Sequence, residues 1–115
     1  MITGLHHFAI IVSSEKSVDF YSRLGFVEQF RKSREKDTIV LMEGYGIKLE
    51  MFIDPYHPEH ATNPENIGIR HLALKVDSCE KLPEEFNCGP IMQDWSGANF
   101  CFTKDPDGLP IEFHE

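Results

Sequence analysis

The feature that most constrains this chain is an internal repeat. A β-branched, apolar run opened by histidine occurs twice, once as His7-Phe8-Ala9-Ile10-Ile11-Val12 and again as His71-Leu72-Ala73-Leu74-Lys75-Val76. Each run is followed by a similar polar step, Ser13-Ser14-Glu15-Lys16 in the first copy and Ser78-Cys79-Glu80-Lys81 in the second. Each copy then closes on a glutamate set between apolar residues, Leu49-Glu50-Met51 and Ile111-Glu112-Phe113. Self-similarity at this spacing marks two copies of one supersecondary unit, whose apolar faces must be covered by packing.

The local signals give each copy its elements. Leu5 to Val12 reads as a strand, being apolar and short. Ser13 or Ser14 can cap a helix that runs to about Leu24, and Gly25 suits its stop. Val18, Tyr21 and Leu24 fall at helical spacing and give that helix one apolar face. Strands are expected over Phe26 to Arg31, Thr38 to Met42 and Gly46 to Phe52, with Glu43-Gly44-Tyr45-Gly46 as a turn. This is a βαβββ module of about residues 1–53. Pro55, Pro58 and Pro64 lie among polar residues in a linker of about 54–67. The second module, about 68–115, begins with a strand over Ile69 to Val76. Its helix should be short, because proline at position 83 fits only near a helix start. Strands near Pro90 to Met92, Ala98 to Thr103 and Leu109 to His114 follow, and Asp105-Pro106-Asp107-Gly108 is a strong turn signal. The expected fold class is α+β, with paired βαβββ modules and curled mixed sheets.

Strand parity aims the repeated polar residues. Successive side chains alternate faces, so Lys48, Glu50 and Phe52 oppose Ile47, Leu49 and Met51. The apolar set must face the helix, which leaves Glu50 on the concave side. By the same phase Glu112 opposes Ile111 and Phe113, while His71 shares a face with Ala73 and Lys75. His7 goes with Ala9 and Ile11. Glu50 lies 43 residues after His7, and Glu112 lies 41 after His71, so imidazole and carboxylate recur at equivalent places. His7, Glu50, His71 and Glu112 are therefore the candidate ligands of one divalent ion. Two imidazoles and two carboxylates suit Ni, Zn, Mn, Fe or Co. Four protein ligands on an octahedral ion leave room for a bidentate oxygen substrate.

Other residues invite blander readings. His57 and His60 have zinc-like spacing but belong to the polar linker. His6 is expected in the core or at an interface, and His114 on the terminal surface. Trp95, Phe52 and Phe102 can line a groove, although aromatics on sheets more often fill cores. The three cysteines, Cys79, Cys88 and Cys101, have no CxxC spacing and are read as free structural thiols in a reducing compartment.

The formal charge of −8 argues against a nucleic-acid surface, which needs clustered positive charge. No apolar run approaches the roughly 20 residues of a membrane span. With no signal-peptide pattern at the N-terminus, the expected location is cytoplasmic.

The stretches Leu5 to Val12, Ser17-Val18-Asp19-Phe20-Tyr21-Ser22-Arg23-Leu24-Gly25-Phe26, His71 to Asp77 and Asp105 to Glu112 together resemble the vicinal oxygen chelate superfamily. That group includes glyoxalase I, the bleomycin-resistance proteins and the extradiol dioxygenases. The resemblance covers nearly the whole chain and implies a single vicinal oxygen chelate domain over 1–115. It implies paired βαβββ modules around a metal cavity, often completed by a homodimer. Carried over by position, His7 and Glu50 match the ligands of the first module, and His71 and Glu112 those of the second. A complete His/Glu/His/Glu set most resembles glyoxalase I, with the methylmalonyl-CoA epimerases as neighbours. Extradiol dioxygenases and fosfomycin-resistance enzymes typically use only His, His and Glu. The short second helix and the compact Leu82 to Trp95 segment depart from the glyoxalase I pattern.

The resemblance thus implies a lactoylglutathione-lyase-like lyase or isomerase. Its substrate would be a small hydroxy-carbonyl or hemithioacetal, turned over through an enediolate, with a thiol cosubstrate such as glutathione possible. Glu112 or Glu50 would move the proton. The alternatives are a fosfomycin-resistance-type thiol transferase and a non-enzymatic protein that binds an antibiotic or metabolite on the same scaffold.

Overall fold

The computed structural model describes all 115 residues. The chain divides into two compact units, Met1–Pro58 and Glu59–Glu115. It is an α+β protein with two four-stranded mixed sheets, ordered β1-β4-β3-β2 and β5-β8-β7-β6. No helix is long and apolar enough to cross a membrane.

In the first unit, strand β1 (Phe8–Val12) leads to helix α1 (Glu15–Arg23), then to β2 (Val27–Ser33), β3 (Thr38–Gly44) and β4 (Ile47–Ile53). Ser14 caps the helix, its hydroxyl accepting from the Lys16 N–H at 3.2 Å. Glu15 in the first turn and Arg23 in the last complement the helix dipole. At the other end the Leu24, Gly25 and Phe26 N–H groups donate back to the carbonyls of Phe20, Ser22 and Tyr21. Gly25 is required there. Its φ is +111°, and a Cβ would stand 2.2 Å from the Tyr45 hydroxyl, which donates to the Leu24 carbonyl. Tyr45 and Gly46 both have positive φ, so a two-residue turn joins β3 to β4, where Gly44 pairs with Ile47. The core of this unit is one face of the sheet against α1, with Val18, Tyr21 and Leu24 from the helix and Val12, Val40, Met42, Leu49 and Met51 from the strands.

The second unit keeps the strand plan of the first but not its helix. Strand β5 (Leu72–Lys75) is followed by two 3₁₀ turns (Cys79–Lys81 and Glu84–Phe86), then β6 (Met92–Gln93), β7 (Asn99–Lys104) and β8 (Pro110–His114). The expected short helix is thus replaced by two separate turns. Pro83 has no N–H to continue an α-helical ladder, and it caps the second turn instead. Phe86 is buried here with its ring 5.7 Å from that of Phe113. The expected turn at Asp105 to Gly108 is present: the Asp105 carboxylate accepts from the Asp107 and Leu109 N–H groups, and the Gly108 N–H donates to the Asp105 carbonyl. Ile111, Phe113, Leu74, Cys79 and Cys101 complete the core.

Several boundaries move inward. The first strand begins at Phe8 rather than Leu5, and the fifth at Leu72 rather than Ile69. His7 and His71 therefore each sit one residue ahead of their strand. Strand β6 lies at Met92–Gln93, beyond the expected Pro90, because proline has no N–H to donate to the ladder.

Candidate metal centre

The two histidine–glutamate pairs arise from one register used twice. In the first unit β1 and β4 run parallel, with Ala9 opposite Glu50 and Phe8 opposite Leu49. In the second unit β5 and β8 run parallel, with Ala73 opposite Glu112 and Leu72 opposite Ile111. In both, the residue opposite the glutamate is the alanine that follows the histidine by two, and its single methyl leaves room beside the carboxylate. Leu49, Met51, Ile111 and Phe113 are buried, so burying them turns Glu50 and Glu112 to the open side of their sheets, as strand parity requires.

His7 Nε2 stands 3.8 Å from Glu50 Oε1 in the first unit, and His71 Nε2 stands 3.3 Å from Glu112 Oε1 in the second. Glu50, His71 and Glu112 are half-buried, and His7 is exposed. Neither unit by itself gathers three ligand-type side chains; each presents a pair. Two ligand atoms bound about 2.1 Å from one ion lie roughly 3.0 to 3.4 Å apart at octahedral-cis or tetrahedral angles. The second pair already has that spacing, and the first would need to close by a few tenths of an ångström. Nitrogen and carboxylate oxygen are the donor types that such ions take. Each pair therefore fits a divalent ion as two of its ligands.

The surroundings of the pairs differ. His7 Nδ1 is 2.8 Å from His6 Nδ1, an arrangement in which one ring donates and the other accepts, leaving His7 Nε2 toward Glu50. His6 is exposed rather than in the core; its role here is as the neighbour that orients His7. His71 instead stands edge-on to Phe102, with ring centroids 5.1 Å apart. The Phe102 ring belongs to β7 at the residue paired with Glu112.

His114, expected on the terminal surface, is half-buried and held on both ring nitrogens. Nε2 is 3.0 Å from Asp94 Oδ2, and Nδ1 is 2.8 Å from the Glu115 carbonyl. These acceptors, the carbonyl first, raise the imidazole above its ordinary range. Asp94 is driven down to about 2, first by the Ser96 hydroxyl and further by the Ser96 and Ala98 N–H groups and His114. The parity that placed Glu112 also placed His114 on its face, but Asp94 reaches it across twenty residues with no local signal. The linker histidines join neither pair: His57 Nε2 is 3.0 Å from Asp54 Oδ2, and the His60 N–H donates to the Asp107 carbonyl.

The three aromatics expected at a groove, Trp95, Phe52 and Phe102, lie outside the buried core. Trp95 is fully exposed, and Phe52 and Phe102 are half-buried, with the Arg34 guanidinium 5.6 Å from the centre of the Phe52 ring. Cys79 and Cys101 are buried and Cys88 half-buried, all as free thiols. Burial pushes the Cys79 thiol up to about 12, with a contribution from Cys101 beside it.

The family described as the Glyoxalase/Bleomycin resistance protein/Dioxygenase superfamily matches residues 4–113. The uncharacterised Bacillus subtilis (strain 168) protein YwkD is 38% identical, the match covering 100% of this chain and 98% of the relative. A solved glyoxalase family protein from Enterococcus faecalis is 32% identical with a TM-score of 0.87, and 97% of each chain is covered. More distant structures share the fold alone. A lactoylglutathione lyase from Agrobacterium tumefaciens has a TM-score of 0.67 at 18% identity, covering 99% of this chain and 94% of that one. A variant of the fosfomycin resistance protein FosX from Listeria monocytogenes, solved with Mn(II) and a dihydroxypropylphosphonic acid, has a TM-score of 0.71 at 17% identity, covering 99% and 90%.

Proposed function

The chain belongs to the Glyoxalase/Bleomycin resistance protein/Dioxygenase superfamily, and from that premise we propose that it is a metal-dependent, glyoxalase-I-like lyase or isomerase. The ligands are His7, Glu50, His71 and Glu112, two from each unit. The observation that supports this is the repeated register, in which Ala9 opposes Glu50 as Ala73 opposes Glu112 and a histidine precedes each alanine by two. A structural role for one exposed-side glutamate would not require the same histidine partner a second time.

The bound ion, one of Ni, Zn, Mn, Fe or Co, would supply Lewis-acid polarisation of the substrate's oxygens. The chain's own residues do the rest. The two imidazoles serve only as nitrogen donors to the ion. One of the two carboxylates, Glu112 or Glu50, takes the proton from the carbon next to the polarised carbonyl and returns it to the neighbouring carbon, so that no net proton is consumed. The substrate is a small hydroxy-carbonyl compound or the hemithioacetal that a thiol such as glutathione forms with a ketoaldehyde. A homodimer and a cytoplasmic location belong to the same reading.

Replacing Glu50 and Glu112 one at a time by Gln tests it. Glutamine keeps the size and a weak oxygen donor but cannot take the proton. One variant should hold its metal yet lose turnover of a hemithioacetal by about two orders of magnitude or more, while the other should mainly lose metal. Wild-type turnover in both metal-loaded variants would refute the mechanism.

A further inference from the structure

On the open side of the first unit's sheet, the side that bears Glu50, the register sets out an apolar floor. Ala9 and Leu41 flank Glu50 in one cross-strand row, with Phe30 beyond Leu41, and Ile11 and Ile39 flank Phe52 in the next. Val12, Val40, Met42, Leu49 and Met51 fill the opposite face and are buried, so these open-side residues are large apolar groups that the core does not use. Phe30 and Ile11 are exposed, while Ile39, Leu41 and Phe52 are half-buried. Contiguous apolar side chains left open and rimmed by polar ones mark a groove that a ligand or partner occupies.

One end of this floor is basic, in a chain whose formal charge is −8. Arg34, in the turn from β2 to β3, holds its guanidinium 5.6 Å from the centre of the Phe52 ring. Phe52 follows Glu50 by two residues on the same face, roughly 7 Å along the strand. Lys32 pairs with Ile39 in the Phe52 row and adds a second cation there. Asp37 fixes the guanidinium: its carboxylate accepts from Nε and from Nη2, both at 2.6 Å. The Asp37 side chain is 6% exposed and that of Arg34 36%. The turn is already closed by the Arg34 N–H, which donates to the Asp37 carbonyl at 2.7 Å, and a surface ion pair adds little stability to it. What the fork achieves is a single pose for the arginine over an aromatic ring. A guanidinium has five N–H donors; Asp37 takes two of them, which leaves the outer Nη1/Nη2 edge as a second two-pronged donor. That edge matches the paired oxygens of a carboxylate or a phosphonate. The guanidinium is held above its ordinary range, first by its hydrogen bonds to Asp37 and, against desolvation, by the charges of Asp37 and Glu50, so it lies within electrostatic reach of the site carboxylate. The second unit has the opposite charge at the equivalent place. There the residue two after the glutamate is His114, and Asp94 from the β6–β7 turn meets it.

We propose that Arg34 is a specificity-determining residue that receives an anionic oxygen group, a carboxylate or a phosphonate, of a substrate whose chelating oxygens lie at the His7/Glu50 end of the same face. The substrate is thus a small acid. Its short carbon chain lies on the floor of Phe52, Ile39 and Ile11 between the two polar ends. Asp37 positions the guanidinium and does not touch the substrate. This inference rests on the metal reading given above and names the substrate class of that site.

Three hydroxamates with the same chelating head separate charge from shape. Succinomonohydroxamate ends in a carboxylate, its terminal amide has the same shape without the charge, and 3-phosphonopropanohydroxamate ends in a phosphonate. Full-length protein loaded with Ni²⁺ or Zn²⁺ is titrated with each by calorimetry. At least one acid should bind about tenfold or more tighter than the amide, the size expected of a hydrogen-bonded charge, and the preference should shrink as salt is raised. The acid with the larger preference identifies the group that Arg34 receives. Arg34→Gln combined with Asp37→Asn removes both charges and leaves no bare carboxylate in the turn. That variant should lose most of the preference, measured against the amide in the same variant. Arg34→Lys keeps the charge without the fork and should retain only part of it. Lys16→Gln, which removes one exposed charge from α1, should retain all of it, so a general charge effect is told apart from a local one. If the metal-loaded protein binds the amide but prefers neither acid, or if the double variant keeps the full preference, this proposal is overturned and the metal reading stands. A protein that takes up no metal overturns both.

Discussion

Truncating Leu49 to alanine, and separately Ile111 to alanine, perturbs the residue that immediately precedes each site glutamate and so probes the strand phase that aims both carboxylates. Leu49 is 2% exposed and Ile111 0%. Each substitution removes three buried carbons, worth roughly 2.4 kcal/mol at about 0.8 kcal/mol per carbon. Incomplete closure of the void adds to this, so the expected loss is about 3 to 5 kcal/mol. Glu50→Gln and Glu112→Gln act one residue further along the same strands, on the open side, and keep the side-chain shape. They should each change stability by less than about 1 kcal/mol. The assay is urea unfolding followed by far-ultraviolet circular dichroism, with a chelator present so that bound metal adds nothing to the native state. Midpoints should fall for the two alanine variants with the slope unchanged. If a glutamine variant loses as much as its alanine neighbour, the carboxylate is part of the interior and the phase argument fails. A loss below about 1 kcal/mol at Leu49 or Ile111 would refute it from the other side.

Metal analysis of His7→Ala and His71→Ala should show the divalent ion lost or strongly weakened. Because the donor atoms must be free of protons to ligate, metal affinity should weaken as the medium is acidified; a wild-type protein that stays metal-free after exposure to Ni²⁺, Zn²⁺ and Mn²⁺ would overturn the site. Asp94→Asn should cost stability within a defined pH window. Asp94 lies below its ordinary 3.8, so its contribution is present above that value and is lost as pH falls toward 2. His114 lies above its ordinary 6.5, so its contribution is complete below 6.5 and is lost as pH rises through the raised value. The variant should therefore be most disadvantaged near pH 5 and less so near pH 9, and an equal deficit at both would show that the pair is not charged. Cys79, raised from 9.0 to about 12, should react with iodoacetamide at pH 8 about a thousandfold more slowly in the native protein than after denaturation, and mass spectrometry showing equal rates would refute its burial.

The repeat was legible in the sequence because strand phase is a local property. Once Leu49 and Met51 are assigned to the helix side, Glu50 has only one side left, and Ile111 and Phe113 dispose of Glu112 in the same way. An N-cap at Ser13 or Ser14 and the turns within Glu43 to Gly46 and Asp105 to Gly108 were readable for the same reason, since each is decided by a few neighbouring residues. The loss of the second helix was half readable. Pro83 announced an interruption, but local pattern did not decide that Phe86 would be seated by a 3₁₀ turn against Phe113. Partnerships across long separations left no trace. Nothing near Asp94 marks it as the partner of His114, and nothing near Trp95 marks it as exposed, because an aromatic beside a short strand more often faces inward.

The two pairs share a register yet are supported by different means, and the difference bears on how a metal would be accommodated. His71 is braced by the Phe102 ring, itself fixed opposite Glu112 in the sheet, and its spacing of 3.3 Å already matches two ligands of one ion. His7 is steadied by His6, which is exposed and precedes the first strand, and its spacing of 3.8 Å is too wide. A side chain steadied only by an exposed neighbour can move by a few tenths of an ångström without breaking a ladder hydrogen bond. A ring wedged against a sheet-fixed aromatic moves less readily. Within its own unit, His71 is therefore the more firmly held of the two histidines.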